Sequence, residues 1–258
     1  MTTGLYNREF YNAQMGGSYK SALKIVPIIR GMIEVNSVLD VGCGVGSFLR
    51  AFQDNGVEDI FGIDGSYVSE DQLMIDKSKF YARDLTSPCF IHRRFDLALS
   101  VEVAEHLPVQ VADAFVKMLC LHSDVVLFSA AIPAQGGEGH VNERWPSYWA
   151  EKFSSHGFKP FDVIRDEIWN DDDVEYWYAQ NCIIYANENA INLSDALRNA
   201  SEKSIAYPPR SLVHPKLYEI KCDMVRNCAG TFEELARSGE AYRIVKDGNG
   251  QFNVRLAK

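Results

Sequence analysis

The sequence predicts an α/β domain built on a doubly wound, mainly parallel sheet. Three observations carry that reading. Short apolar runs rich in β-branched residues recur between Val38 and Ala186 and alternate with helical patterns. A glycine-rich turn joins the first run to a helix. Acidic residues stand inside the first run just before its turn and at the ends of the second and third, toward the strand ends where open α/β sheets bind their ligands.

Taken in order, residues 1–36 form an expected helical cap or lid. Leu23, Val26, Ile29 and Ile33 follow a helical period, and Pro27 starts or kinks that helix. Aromatics and glycines upstream, from Tyr6 to Tyr19, suit either a segment folding over a ligand or a plain packing cap. The stretch SVLDVGCGVGSFL, Ser37–Leu49, then organises the chain. Val38, Leu39 and Val41 read as a buried strand, and Ser47 onward as a helix. Between them Gly42, Gly44 and Gly46 let backbone N–H groups approach a ligand with no Cβ in the way. The spacing is G-x-G-x-G, not the G-x-G-x-x-G of dinucleotide sites. Asp40, inside the strand, repels a pyrophosphate and suits a cationic group.

Ile60–Asp64 is the second expected strand. Asp64 at its end can accept the two hydroxyls of a ribose or, more simply, cap a helix. Phe80–Leu85 is the third, where Asp84 can accept from an adenine amino group and the Leu85 amide can donate. Phe95–Val101 is the fourth, Val111–Leu121 a helix and Val125–Ser129 the fifth. A long glycine-rich loop with polar and aromatic residues follows, and such loops carry function. Tyr148–Phe153 begins a helix. Phe161–Ile168 and Cys182–Ala186 are expected as the last strands, an antiparallel pair at the sheet edge. Beyond residue 187, Ala190–Ser204 and Cys228–Ser238 suit helices. Tyr207–Ser211 suits a linker, and Ile244–Leu256 a hairpin through Asp247-Gly248-Asn249-Gly250. This 188–258 extension is a candidate for docking on the core, shaping a pocket or forming a homo-oligomer.

The 258 residues suffice for one well-buried α/β domain with an appendage. A net charge of −9 argues against a broad nucleic-acid or anionic-membrane surface. MTTGLYNREF has neither the basic flank nor the apolar core of a signal peptide. No apolar run nears the ~18 residues of a membrane span. The six scattered cysteines, with no C-x-x-C pair, suggest reduced thiols in a cytoplasmic protein.

These residues resemble a known family. VLDVGCGVGSFL, FGIDGSYV, ARDL and FDLALSVEVAEHLP are similar to the motifs of class I S-adenosylmethionine (SAM)-dependent methyltransferases, over roughly residues 1–187. FSAAIPAQGGEGHVNERWPSYW and WYAQN resemble a bacterial group associated with glycan and secondary-metabolite genes. The resemblance implies a Rossmann-like, seven-stranded sheet with an antiparallel edge strand in a 37–187 core, and SAM as cofactor. It implies that Asp40, Gly42, Gly44 and Gly46 hold the methionine part, Asp64 the ribose, and Asp84 with Leu85 the adenine.

Methyl transfer to oxygen needs a base or a metal to remove the hydroxyl proton. Glu102, Glu105 and His106 stand at i, i+3 and i+4, on one face of an expected helical turn. His140 lies in the loop at the same sheet end. The four could bind Mg²⁺, Mn²⁺ or Fe²⁺. The set resembles the E-x-x-E-H plus distal His site of small-RNA 2′-O-methyltransferases, whose RNA-binding domains this chain lacks. Alternatively His106 or His140 acts as a general base assisted by Glu105, or the glutamates only cap a helix. Trp145, Tyr148, Trp149, Trp177 and Tyr178 are expected to wall an acceptor site, with Trp149 and Trp177 equally suited to the core. The leading expectation is methylation of a hydroxyl on a sugar, nucleotide sugar or natural-product intermediate. RNA or protein methylation and a non-catalytic SAM-binding subunit stand as alternatives.

Overall fold

The computed structural model describes residues 8–87, 89–202, 207–238, 242–246 and 252–256, with backbone alone at 8–15 and from 230 onward. The chain divides into two compact units, residues 1–214 and 215–258. The first unit therefore extends beyond the expected 37–187 core.

In the first unit the order is α1 (Arg8–Met32), β1 (Ser37–Val41), α2 (Ser47–Asp54), β2 (Asp59–Asp64), β3 (Phe80–Ala82), β4 (Leu97–Val101), α3 (Ala112–His122) and β5 (Val125–Ser129). Then come α4 (Pro146–Ser154), β6 (Phe158–Phe161), α5 (Ile164–Ile168), α6 (Tyr176–Asn181), β7 (Ile183–Asn187), α7 (Glu188–Leu193) and α8 (Asp195–Glu202). Seven strands form one sheet in the order β3-β2-β1-β4-β5-β7-β6. The first five are parallel, and β7 runs antiparallel to both β5 and β6. This is the Rossmann-like sheet with its antiparallel edge pair.

Strand side chains alternate between the faces, and two apolar layers result. Val38, Ile60, Leu97, Leu99, Val125, Leu127 and Ile184 join one cluster with Ile25 and Ile29 of α1 and Phe52 of α2. Leu39, Ile63, Ala98, Val126, Phe128 and Tyr185 join the other with Phe115 and Leu119 of α3 and Phe153 of α4. Burial on both faces explains why these strands read as near-continuous apolar runs.

Three expectations change. The strand expected over Phe161–Ile168 is β6, ending at Phe161, and Ile164–Ile168 is helical. Arg165 drives that change: its fully buried guanidinium needs partners, and a helical turn brings Asp162 to it. The expected third strand stops at Ala82, so Asp84 and Leu85 lie in the loop beyond it. Ala190–Ser204 is two helices, α7 and α8, parted at Ser194, whose hydroxyl accepts from the Leu197 amide and donates to the Met32 carbonyl. Residues 203 and 204 lie outside the described residues.

The second unit comprises α9 (Pro215–Ser238) and an antiparallel pair, β8 (Tyr242–Lys246) with β9 (Phe252–Leu256). That pair matches the expected hairpin, whose turn at 247–250 lies outside the described residues. The upstream aromatics Tyr6, Phe10 and Tyr11 have no described side chains.

Candidate active site

β1 and β4 are parallel neighbours from which the chain winds outward in opposite directions. Such a reversal opens a crevice beyond the strands' carboxyl ends. The glycine turn rises from β1 there, and the Glu102–His106 segment from β4. They touch: a Cβ on Gly42 would lie 2.2 Å from a Val103 methyl.

The turn is tied to β2. The Gly42 and Cys43 amides both donate to the Ile63 carbonyl, at 2.7 and 3.2 Å. Gly42, Gly44 and Gly46 have φ of 87°, 55° and 88°, the left-handed region that favours glycine. Their surroundings differ. Val103 crowds Gly42 and Ile75 crowds Gly46, while nothing lies within 4 Å of where a Gly44 Cβ would stand. Gly44 thus borders open space. Asp64 accepts from the Gly44 and Gly65 amides and the Tyr67 hydroxyl, each at 2.6 Å. Asp40 is buried beneath the turn. Desolvation first, and then the Asp64 charge, push its carboxyl up to about 8. Asp84 is exposed and accepts from the Thr86 amide and hydroxyl, while Leu85 is buried.

The acid–histidine end is built differently. Glu102 follows β4 with φ 56°, and a short 3₁₀ turn, Ala104–His106, comes next. That left-handed residue breaks the helical register expected of Glu102, Glu105 and His106. Glu102 turns to buried amides: Asn181 Nδ2 and Gln135 Nε2 each donate to it at 3.0 Å. Gln180 Nε2 donates to Gln135 and Asn181, and the His214 amide donates to Gln180 Oε1. Glu105 instead joins His106 and His140, with one potential ligand atom from each within 4.8 Å of the others. Glu102 stands outside that group.

Glu105 is fully buried, and neither carboxyl oxygen has a hydrogen-bond partner. Desolvation and the nearby Glu102 charge raise its pKa well above the usual range. The His106 and His140 rings meet edge to face at 4.7 Å. Burial first, and then His140, draw His106 down to about 4. Glu143 orients His140 through Nδ1 at 2.9 Å and accepts from the Ala134 and Gly136 amides. The Val141 and Asn142 amides donate to the Glu105 carbonyl, lacing the loop to the 3₁₀ turn.

The five aromatics separate. Trp149 is core, 2% exposed, against Phe128. Tyr178 is also core, packing edge-on to Phe48 with its hydroxyl on Ser18 at 2.9 Å. Both are buried in the interior, the alternative already open for Trp149. Tyr148 and Trp177 are half-buried, and Trp145 is 38% exposed. Gln135, Gln180, Asn181, Asn142 and Glu143 had no role assigned from sequence. The signal available was a Gln-Asn pair set directly before an apolar strand.

A doubly wound sheet with a glycine turn and acidic strand ends at its switch point defines the class I SAM-dependent methyltransferase fold. The chain belongs to the Methyltransferase domain family, whose match spans residues 15–162. The sequence matches no curated protein. Among solved structures it is similar to Streptomyces venezuelae DesVI, with 16% identity and TM-score 0.51 over 69% of this chain and 96% of that one. It is also similar to SAM-bound CalS10, an amino pentose methyltransferase from Micromonospora echinaspora, with 14% identity and TM-score 0.50 over 72% and 100%. No described helix is long and apolar enough to cross a membrane.

Proposed function

We propose that this chain transfers the methyl group of SAM to a hydroxyl of a small molecule: a sugar, nucleotide sugar or natural-product intermediate. The observation that carries the oxygen acceptor is the Glu105–His106–His140 cluster beside the glycine turn. In the reaction an acceptor oxygen forms a bond to the methyl carbon. The carbon–sulfur bond breaks with its electron pair returning to sulfur, and the hydroxyl proton passes to a base. The cofactor is already activated, so the protein's tasks are alignment and proton removal.

His140 is the better-placed base, because Glu143 fixes its ring through Nδ1. Its other nitrogen abuts Gly137, where a Cβ would stand 2.3 Å from Nε2. Asp40 receives the cationic amino group of the methionine part, and Asp64 the ribose, with the turn amides around them. Asp84 and Leu85 hold the adenine.

The cluster also fits a divalent cation. A buried carboxylate with both oxygens unpartnered, beside two imidazoles, is a mixed oxygen and nitrogen donor set. Glu105, His106 and His140 would hold Mg²⁺, Mn²⁺ or Fe²⁺, which supplies Lewis-acid polarisation of the acceptor oxygen. The GHVNERWPSYW loop would then close the acceptor side, with Trp145, Tyr148 and Trp177 as its aromatic surface.

Turnover with SAM against nucleotide sugars, amino pentoses, phenols and RNA tests the reading. An O-methylated small molecule is the expected product, and methylated RNA alone would overturn it. EDTA separates the two routes: loss of activity restored by Mn²⁺ identifies the metal route, and indifference the base route.

A further inference from the structure

The chain carries 35 acidic against 26 basic residues, and most of the arginines whose side chains are described are paired with carboxylates. Arg50, Arg93, Arg94, Arg165 and Arg210 each hold one. Arg144, in the loop between His140 and α4, does not. Among the described residues no carboxylate lies within ion-pair distance of it. Its sequence neighbour Glu143 is occupied by His140 and two loop amides.

Neutral groups hold Arg144 instead. Its amide donates to the Ala131 carbonyl at 3.1 Å, fixing the backbone just beyond β5. Its Nε donates to Asn142 Oδ1 at 3.0 Å, and the guanidinium carbon lies 5.1 Å from the Tyr148 ring centroid. One edge and one face of the planar group are thereby set, while both terminal nitrogens keep their donors. The residue is exposed. Asn142 is 2% exposed, and its Nδ2 is a buried donor with no partner. Its own amide donates to the Glu105 carbonyl, which puts the assembly one residue from the acid–histidine cluster.

A fixed guanidinium with its fork open, beside an unmet amide donor, is complementary to an oxyanion. Among the described residues no carboxylate neutralises that charge. An acidic protein also repels a free anion at range, so an anionic ligand needs a local cation of this kind. We infer that Arg144, with Asn142, forms a subsite for an oxyanion, a phosphate or a carboxylate, carried by the methyl acceptor. This rests on the methyltransferase reading above and narrows its substrate to anionic small molecules. Trp145, the next residue, offers an apolar flank to the body that bears the anion.

The test uses the full chain saturated with S-adenosylhomocysteine (SAH) and calorimetric titration with glucose, glucose 1-phosphate, glucuronate and inorganic phosphate. At least one anionic sugar should bind ten or more times tighter than glucose, roughly 1.4 kcal/mol. The two sugar anions show which oxyanion the fork takes, and inorganic phosphate shows whether the anion binds without the sugar. Arg144→Gln should erase the preference with SAH affinity unchanged. Arg144→Lys, which keeps the charge and loses the fork, should retain part of it and guards against a folding defect in the first variant. Equal binding of glucose and both sugar anions, absence of any binding, or a preference that survives in both variants would overturn the subsite. If the wild-type chain does not bind SAH, the underlying reading falls and takes the subsite with it. If SAH binds and the variants change nothing, the subsite falls alone.

Discussion

The glycine turn after β1 and the acid–histidine segments after β4 and β5 flank one crevice, and they are made of different material. The turn is backbone: its amides are held by the Ile63 carbonyl and by Asp64, and residues 37–65 supply all of it. The loop end is side chains. Glu102 reaches Asn181 across 79 positions, and Gln135 reaches Gln180 across 45. A backbone site fails when a Cβ intrudes. A side-chain site fails when a single atom changes. Each end is therefore broken by a different class of substitution.

The largest effect should come at the loop end. Glu105→Gln or His140→Ala is expected to reduce turnover by about 10²–10⁴-fold, the range of a lost acid–base or ligand group. SAH affinity measured by calorimetry should stay at the wild-type level. Gly137→Ala should lower turnover in the same way, since its Cβ would cover His140 Nε2. Loss of SAH binding in Glu105→Gln would show that the two ends are not separable.

Next is Gly42→Ala. It combines left-handed strain with a methyl 2.2 Å from Val103, in a buried contact. A loss of about 3 kcal/mol in urea-unfolding stability is expected. A neutral result would mean that Val103 moves away freely.

Asp40 sharpens the comparison through pH. Its carboxyl titrates near 8 in the folded chain against 3.8 ordinarily. Between those values the folded state keeps a proton that the unfolded chain has lost. Its contribution is thus full below the unfolded value and is lost as pH rises through the folded one. The slope is about 1.4 kcal/mol per pH unit. Asp40→Asn should flatten it, as followed by unfolding across pH 5–8 (a range of roughly the shifted titration). An unchanged slope would place the titration elsewhere.

The smallest stability effect belongs to Gly44→Ala. With open space around it, only left-handed strain remains, about 1 kcal/mol. Its SAH affinity should nonetheless fall at least tenfold, a ratio of ~1.4 kcal/mol. Loss of stability without loss of affinity would remove the open face of the turn as a ligand surface.

The same contrast explains what the sequence disclosed. β1, its turn, α2 and β2 are contiguous, and period-two burial on both faces writes them as apolar runs broken by glycine. At the loop end the residue types were visible and their arrangement was not. Spacing put Glu102, Glu105 and His106 on one helical face, but the φ of 56° at Glu102 turns its carboxylate toward Asn181 and Gln135. Nothing local in VEVAEH shows a left-handed glutamate. Arg165 hid α5 in the same way: Val163, Ile164 and Ile168 suggest a strand, and the buried charge is held by Asp162 together with long-range bonds to the Gln180 and Arg210 carbonyls. Trp149 and Tyr178 illustrate the remaining ambiguity, because aromatic residues near a site and aromatic residues beneath it have the same composition.

The amide network around Glu102 also sets an order of events during synthesis. Its bonds run from Glu102 through Gln135, Asn181 and Gln180 to the His214 amide. A nascent chain released only as far as β2 already holds every residue of the glycine turn and its acidic partners. Glu102 obtains both of its amide donors only after Asn181 has cleared the ribosome exit. Its buried carboxylate, uncompensated until then, favours a state that water still reaches. The cofactor-side turn is therefore complete in sequence on the order of a hundred residues before Glu102 can be paired (an interval of roughly five to twenty-five seconds at typical elongation rates), and truncations between Asp64 and Asn181 leave the residues of the turn without the last donor to Glu102.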